Sequence, residues 1–255
     1  MSSAPPKRVT IADVRRSFNA KGGKDPWLLG HVFRPLAALV TPPFYNAGLS
    51  GNAVTALRAL AAIAAVVGLA LGAPGWLPAV VVLAYLGFIL DCIDGNVVRL
   101  SNTASYYGKF ADGLADGVFV FLAPFAAGFG AWLAGGPASV LLLGALVTIA
   151  ALFAQMVRNR LSFFREWMIS QTDPLDDTVS ARLAPAQEWE RRALGLMVNV
   201  SFVPPLVLLL PFGVEKFVLL LVVTQLPADL VVTVLTLWQA NIMLRRWRRS
   251  IHANP

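Results

Sequence analysis

The chain has 255 residues and a mean hydropathy of +0.66, and 57% of its residues are hydrophobic while only 14% are charged. This composition excludes an ordinary soluble globular protein and indicates a helical membrane protein, because several apolar runs are long enough to cross a hydrocarbon core of about 30 Å. The net charge of +7 does not indicate nucleic-acid binding, since the basic residues cluster near the predicted membrane boundaries without interleaved aromatic stacking groups.

Residues 1–50 are predicted to form a cytoplasmic tail followed by an interfacial juxtamembrane segment. The first 25 residues are basic and polar, and they lack the apolar core of a cleaved signal peptide. The stretch 26–45 begins with Pro26 and is apolar, but it is interrupted by a histidine, an arginine and three further prolines. We therefore expect this stretch to lie in the headgroup region instead of spanning the membrane.

Six apolar segments follow and predict six transmembrane helices, so the expected fold class is all-α and polytopic. They lie at about 52–72, 76–94, 108–134, 138–163, 191–212 and 215–243. The connections after the first, third and fifth segments contain one basic residue, Lys216, so the positive-inside rule places both termini in the cytoplasm. The predicted organisation is a six-helix domain over 51–244 and a basic cytoplasmic tail over 245–255.

Four aspartates lie at the ends of the second and third predicted spans. Asp91 and Asp94 are three residues apart, and Asp112 and Asp116 are four apart, so each pair shares one face of its helix. The polar stretch between the pairs permits a chain reversal that brings the two faces together. Carboxylates are costly near a membrane core, and hard oxygen ligands suit Mg²⁺ or Mn²⁺. The pattern therefore predicts a divalent metal site at the cytoplasmic side.

Small residues near the aspartates favour close approach of the helices. Gly113 and Gly117 have the G-x-x-x-G spacing, which is also typical of ordinary helix packing. Cys92 is the single cysteine, which excludes an intramolecular disulfide, and it has no Cys or His partner in the motif. We interpret Cys92 as a buried packing residue.

The aspartate region resembles the signature of the CDP-alcohol phosphotransferase family, which is also called the CDP-alcohol phosphatidyltransferase family. That signature is D-x2-D-G-x2-A-R-x8-G-x3-D-x3-D, and Val98 stands here where the family usually has Ala. The chain matches the other positions with Asp91, Asp94, Gly95, Arg99, Gly108, Asp112 and Asp116. Six spans with the motif between the second and third also agree with the architecture of the family.

The resemblance implies transfer of a substituted phosphate group, such as phosphatidyl, from a CDP-alcohol such as CDP-diacylglycerol to the hydroxyl of a second alcohol. CMP is released, and the reaction belongs to phospholipid biosynthesis. The resemblance also implies a homodimer in contact with membrane lipid, and a location in the bacterial inner membrane. Two Mg²⁺ or Mn²⁺ ions are the implied cofactors.

Residue roles follow from the same resemblance. Asp91, Asp94 and Asp112 are implied metal ligands, and Asp116 is implied both as a ligand and as the general base. The implied contacts to the CDP moiety are made by Asp91, Asp94, Gly95, Arg99 and Gly108.

Upstream of the motif, the start of the first span is similar to a P-N-x-x-T pattern that family members often show. Asn52 and Thr55 occupy the polar positions, and Gly51 replaces the proline. Asn52, Thr55 and Arg58 follow one another at helical i, i+3, i+6 spacing, and we expect all three to lie near the nucleotide, although helix capping by Asn52 and helix packing explain the pattern equally well.

The acceptor alcohol is less well defined by the sequence. Arg158, Arg160 and Arg165 are candidates for binding an anionic acceptor such as an alcohol phosphate, and their alternative role is to fix topology. Asp229 lies within the sixth span, where a carboxylate indicates either a functional site or a partner for an arginine of a neighbouring span. An ion or metal transporter is the alternative function, and it requires discontinuous helices in related halves, a repeat that we do not find in the sequence.

Overall fold

The computed structural model describes residues 8–19, 29–170 and 207–252, and these residues are helical apart from short connections. They confirm the all-α class. The helices, numbered here over the described residues, are α1 Ile11–Asn19, α2 Arg34–Asn46, α3 Gly51–Ala70, α4 Leu77–Ser101, α5 Tyr106–Leu133, α6 Ala138–Ser170 and α7 Val214–His252. A π-helical turn, Leu29–Phe33, leads into α2, and short 3₁₀ turns precede α4 and α7.

Five helices are long and apolar enough to cross a membrane. The candidate spans are Gly51–Ala70, Pro74–Ser101, Tyr106–Leu133, Ala138–Met168 and Val214–Arg245. They correspond to the first four predicted spans and the sixth, which establishes an integral, multi-pass membrane protein. The predicted fifth span, 191–212, lies outside the described residues except for 207–212, which form a turn and a 3₁₀ helix. The predicted boundary between domain and tail at residue 244 falls inside α7.

Small residues let the spanning helices approach closely. α3 packs along both α4 and α5, α5 packs on α6, and α6 packs on α7. A Cβ atom added to Gly130 would lie 2.0 Å from the Leu69 carbonyl oxygen, and one added to Gly144 would lie 2.3 Å from the Pro124 carbonyl oxygen. Only glycine permits backbones to meet at these distances. Large apolar side chains such as Leu60 and Val223 are exposed on the outside of the bundle, where lipid would contact them.

Helix α2 lies against α4 and is too short to cross a membrane. Phe33 and Ala37 pack with Leu90 and Ile93 of α4 in one buried cluster, which also contains Cys92. This position supports the interpretation of Cys92 as a packing residue. Helix α1 is tied to the end of α2 because the side chain of Asn46 both accepts a hydrogen bond from the Val9 N–H and donates one to the Val9 carbonyl.

The chain reverses between α4 and α5, as the polar stretch predicts. Asn102 ends α4 in the left-handed conformation, with φ 53° and ψ 40°, a geometry that asparagine tolerates better than most residues. The hydroxyl of Ser105 then accepts a hydrogen bond from the Gly108 N–H and caps α5. The reversal returns Asp112 and Asp116 towards the level of Asp91 and Asp94.

Candidate active site

The four aspartates converge on one arginine, Arg58 of α3. The Arg58 guanidinium forms an ion pair with Asp91, lies 2.9 Å from a carboxylate oxygen of Asp112 and 3.0 Å from one of Asp116, and approaches Asp94 at 3.5 Å. Helices α4 and α5 each pack mainly on α3, so α3 places this arginine where the two aspartate-bearing faces meet. The sequence spacing therefore predicted two faces correctly, but it did not predict the cation between them.

The carboxylates differ in how open they are. The Asp94 side chain is only 7% exposed, whereas that of Asp116 is 63% exposed. The Thr55 hydroxyl donates to Asp94 at 2.9 Å and thereby orients the most buried carboxylate. Asp116 is the carboxylate that an incoming substrate reaches most easily.

The local sequence of α3 explains how Thr55 and Arg58 reach the site. Ser50, and not Asn52, caps the helix, because its hydroxyl accepts a hydrogen bond from the Ala53 N–H at 3.2 Å. Thr55 and Arg58 are three residues apart and thus point to the same side, towards α4 and α5. The capping role considered for Asn52 is wrong, which leaves its side chain available at the exposed start of α3.

The acidic side chains fit a divalent metal ion. Asp91, Asp112 and Asp116 can each offer one carboxylate oxygen such that all three oxygens lie within 4.8 Å of one another. Oxygen donors of this charge and hardness suit Mg²⁺ or Mn²⁺. Asp94 falls outside this group of three, and its place beside Thr55 and Arg58 makes it the least accessible of the four predicted ligands.

A polar cavity of about 210 Å³ opens beside the aspartates, between the starts of α3 and α5 and the end of α4. Most of the residues predicted to contact CDP line it: Asn52, Thr55, Asp94, Gly95, Arg99 and Gly108. Asp91 does not, and it faces a second cavity instead. A Cβ atom on Gly108 would lie 3.1 Å from the side-chain oxygen Oδ1 of Asn52, so the absence of a side chain at Gly108 keeps this cavity open.

The second cavity is smaller, about 80 Å³, and largely apolar. It lies between α3, α4 and α5 and extends from the aspartates towards the bundle interior. Asp91, Asp116 and Arg58 form its polar end, and its apolar wall is formed by Ala62, Leu83, Ala84, Gly87, Phe88, Ala115, Phe119 and Val120. The polar cavity is thus lined by Asp94 and Asp112, and the apolar cavity by Asp91 and Asp116.

The two departures from the family pattern are in contact. A Cβ atom on Gly51 would lie 2.3 Å from a methyl carbon of Val98, closer than any real Cβ contact. A proline at position 51 carries such a Cβ atom, so the larger Val98 requires the glycine. The sequence showed both departures, but it did not show that one compensates for the other.

Asn96 is a site residue that the sequence analysis missed. It is fully buried, accepts a hydrogen bond from the Arg99 guanidinium at 2.6 Å and donates one to the Thr41 hydroxyl of α2 at 2.8 Å. It therefore links the orientation of Arg99 to the packing of α2. A polar residue in an otherwise apolar stretch of the motif is the signal that would have identified it.

The three candidate acceptor arginines do not lie together. Arg158 and Arg165 are seven residues apart on one side of α6 and are half-buried, whereas Arg160 is exposed on another side. Arg158 donates a hydrogen bond to Gln155 and interacts electrostatically with Asp229 of α7. This interaction agrees with the alternative that Asp229 pairs with an arginine of a neighbouring helix.

The predicted G-x-x-x-G contact is not formed within the described residues. A Cβ atom on Gly113 would meet no described atom within 4 Å, and one on Gly117 would meet Phe121 of its own helix. The close glycine-mediated contacts are instead in the other halves of α3, α5 and α6, far along the chain from the aspartates.

A helical membrane bundle with four carboxylates beside a polar and an apolar cavity suits an enzyme that works on an amphipathic substrate at a membrane. The model of the CDP-alcohol phosphatidyltransferase family matches residues 49–186, which is more than half of the chain, and the protein belongs to this family. Its members are transferases with CDP-alcohol donors and alcohol acceptors in a membrane, and they use divalent metal ions. No curated protein matches the chain.

Proposed function

We propose that this protein transfers a phosphatidyl group from CDP-diacylglycerol, or a closely related CDP-alcohol, to the hydroxyl of a second alcohol and releases CMP. The reaction is a step of phospholipid biosynthesis. The observation that carries the proposal is that the aspartates of the family motif line both cavities, Asp94 and Asp112 the polar one and Asp91 and Asp116 the apolar one. The polar cavity suits the cytidine nucleotide, and the apolar cavity suits the lipid side of the donor.

The residues of the polar cavity hold and orient the nucleotide. Arg99, fixed by Asn96, is the cation that lines this cavity at the end of α4, and it suits the CDP phosphates. Asn52 supplies both donor and acceptor groups for the cytosine or ribose. Gly95 and Gly108 allow the nucleotide to approach the backbone because neither carries a side chain.

The transfer itself needs a base and an aligned leaving group. The acceptor oxygen attacks the phosphorus that carries the diacylglycerol, and its proton passes to the carboxylate of Asp116. The bond between that phosphorus and the bridging oxygen breaks, and the electron pair leaves with CMP. Asp116 suits the role of base because it is the most exposed of the four carboxylates.

We propose that Asp91, Asp94, Asp112 and Asp116 bind two divalent ions, Mg²⁺ or Mn²⁺, when substrate is present. Bound there, the ions would neutralise the donor diphosphate and stabilise charge on departing CMP. Support comes from three of these carboxylates, whose oxygens can lie within 4.8 Å of one another, and from Asp94, which lies 3.5 Å from the same Arg58 nitrogen that contacts Asp91 and Asp112.

The acceptor alcohol is proposed to enter beside α6. α5 and α6 are antiparallel, since Gly144 lies beside Pro124, and Thr148 bonds to the backbone of Phe121 and Phe125. Continuing this register at 1.5 Å per residue brings Gln155 and Arg158 level with Asp112 and Asp116. We propose that Arg158 and Arg165, which share one side of α6, contact the acceptor, and that exposed Arg160 acts from the surface only.

The transporter alternative is not favoured. A transit site of that class needs helices that are interrupted at the ion-binding residues. α4 runs unbroken through Asp91 and Asp94, and α5 runs unbroken through Asp112 and Asp116.

The proposal is tested with purified full-length protein in lipid nanodiscs. CDP-diacylglycerol is supplied with one alcohol or alcohol phosphate at a time, and CMP release is measured. We expect release with one acceptor class only, loss of release with a chelator, and recovery with Mg²⁺ or Mn²⁺. Release that persists in metal-free protein would contradict the metal proposal, and no release with any acceptor would contradict the donor assignment.

A matched control separates chemistry from binding. Asp116→Asn should retain binding of a fluorescent CDP-diacylglycerol analogue, because the polar cavity is unchanged, while CMP release is lost. Normal turnover in this variant would remove Asp116 from the role of base.

A further inference from the structure

Arg58 is buried in the candidate active site. It lines the apolar cavity, and it also contacts all four aspartates. Its side chain is 4% exposed, and its two terminal nitrogens are occupied by Asp91, Asp94, Asp112 and Asp116. One of these nitrogens also donates a hydrogen bond to the backbone carbonyl of Asp112 at 2.7 Å. With both terminal nitrogens held in this way, the buried Nε is the one nitrogen of the guanidinium left without a hydrogen-bond partner.

The backbone contact shows that Arg58 has a fixed place of its own. A carbonyl oxygen holds the guanidinium whatever the charge state of the carboxylates around it. Arginine also remains protonated under all ordinary conditions, so its positive charge is permanent. Four carboxylates brought this close would otherwise repel one another strongly in a medium of low dielectric constant.

We propose that Arg58 is a built-in cation that assembles the four carboxylates before any metal ion binds. It is a positioning residue, because it acts through the carboxylates and not on the substrate. It also competes with divalent ions, since it contacts one oxygen each of Asp91, Asp112 and Asp116, the three carboxylates that suit a metal. Only the competition with metal rests on the proposed function.

The competition gives the proposal a distinctive signature. Removing the guanidinium should destabilise the metal-free protein, because an uncompensated carboxylate cluster remains. The same change should strengthen metal binding, because the ion then supplies the missing charge and meets no competitor. A residue that served only to fill space would affect stability in the presence and absence of metal equally.

The experiment compares the full-length protein with Arg58→Met, which keeps most of the side-chain volume and removes the charge. Thermal unfolding in detergent is followed with excess chelator and with excess Mg²⁺, and Mn²⁺ affinity is measured by electron paramagnetic resonance. In chelator we expect the Tm of Arg58→Met to fall by about 10 °C. With Mg²⁺ most of this loss should disappear, and Mn²⁺ should bind at least about tenfold more tightly than to the unmodified protein.

Lys216→Met is the matched control, because it removes an exposed cation at the far end of α7 from the site. It should leave both Tm values and the Mn²⁺ affinity unchanged. Equal Tm values for Arg58→Met and the unmodified protein in chelator would overturn the proposal, as would a loss in Tm that Mg²⁺ does not reverse in a variant that binds Mn²⁺.

A second variant separates charge balance from packing. Adding Asp91→Asn to Arg58→Met removes one of the uncompensated carboxylates, so the Tm in chelator should rise above that of Arg58→Met alone. No rise would overturn the proposal. If neither protein binds Mn²⁺, the proposed metal function fails, while the Tm comparison in chelator still decides the role of Arg58.

Arg58→Lys provides the same comparison if the Met variant does not accumulate. It keeps the charge, but a single ammonium cannot contact all four carboxylates and the Asp112 carbonyl at once. A lower Tm in chelator that Mg²⁺ restores would support the bridging role, and a Tm equal to that of the unmodified protein would overturn it.

Discussion

Two arginines bring charge into the helix bundle, and they do so in opposite ways. Arg58 lies among four carboxylates between α3, α4 and α5, and each of its terminal nitrogens contacts an acceptor. Arg158 of α6 interacts electrostatically with Asp229 of α7. Among the described residues, one carboxylate oxygen of Asp229, the side-chain oxygen of Gln225 and the Nε atoms of both arginines are buried without a hydrogen-bond partner.

The two regions differ in net charge: the first has a surplus of negative charge, and the second contains a balanced pair. Around Arg58, four carboxylates face one cation, so the cluster still attracts positive charge such as a metal ion. Beside Arg158, the negative charge of Asp229 faces a positive charge, so this pair has no surplus of negative charge to attract a metal ion. The lesson is that a carboxylate within a membrane segment is not by itself a metal site, and that the local charge balance decides.

The largest expected effect is on the rate of CMP release when one carboxylate of each region is replaced. Asp116→Asn should lower the rate of CMP release by about 10³-fold, because it removes the proposed base. Asp229→Asn should lower it by less than about tenfold, since its region neighbours the site without supplying the base. Rates of CMP release at saturating donor check both values, and equal losses would erase the distinction between the regions.

The next largest effect is a loss of stability when a methyl group is added beside the aspartate region. Gly51→Ala places a Cβ atom against Val98 and should lower the free energy of unfolding by about 2 kcal/mol, a usual cost of overpacking. Val98→Ala in the same chain should recover most of this loss because it removes the clashing methyl carbon. Thermal unfolding of the two single variants and the double variant measures the coupling, and additive effects would show that the two positions do not interact.

Replacing Asp229 in the second region should lower the free energy of unfolding by a smaller amount, and metal ions should not change that loss. Asp229→Asn removes the counter-charge of a half-buried arginine, so we expect a loss of about 1 kcal/mol in the free energy of unfolding. The loss should be the same in chelator and in Mg²⁺. A loss that Mg²⁺ reverses would show that the second region also binds a divalent ion.

The smallest effect concerns an exposed carboxylate outside both regions. Hydrogen bonds from the Thr10 hydroxyl and backbone N–H, with Arg16 adding a weaker contribution, lower the pKa of Asp13 to about 2. Because the folded-state pKa lies below the ordinary value, the stabilisation is present above about pH 4 and is lost as the pH falls towards 2. Thr10→Ala should raise the pKa of Asp13 towards its ordinary range, as carboxyl NMR titration would measure, and an unchanged pKa would exclude Thr10 as the main cause.

Much of the fold was predictable because membrane helices are recognisable in the sequence as long apolar runs. Twenty or so apolar residues can satisfy their backbone groups in lipid only as a helix, so composition alone located the five described spans. Helix ends were less predictable, since α6 and α7 continue past the apolar region to Ser170 and His252. Hydropathy marks where the membrane ends, whereas a helix continues for as long as its backbone hydrogen bonds are favourable.

The candidate site was predictable in its members and not in its arrangement. Helical periodicity placed Asp91 with Asp94 and Asp112 with Asp116, and the motif identified most residues of the polar cavity. Asn96 and the pairing of Gly51 with Val98 escaped because each depends on a contact between helices. No spacing along one chain reports which side chains of different helices meet.

By itself, the sequence determined that this protein is a helical membrane protein with four aspartates in two facing pairs, because apolar length and a 3.6-residue period are local properties. Only the tertiary structure decided what lies between those pairs. It placed α3 between α4 and α5, gave the carboxylates a permanent cation in Arg58, and separated Arg160 from Arg158 and Arg165. The physical reason is that charge balance and contact depend on distances across helices, which are set by packing.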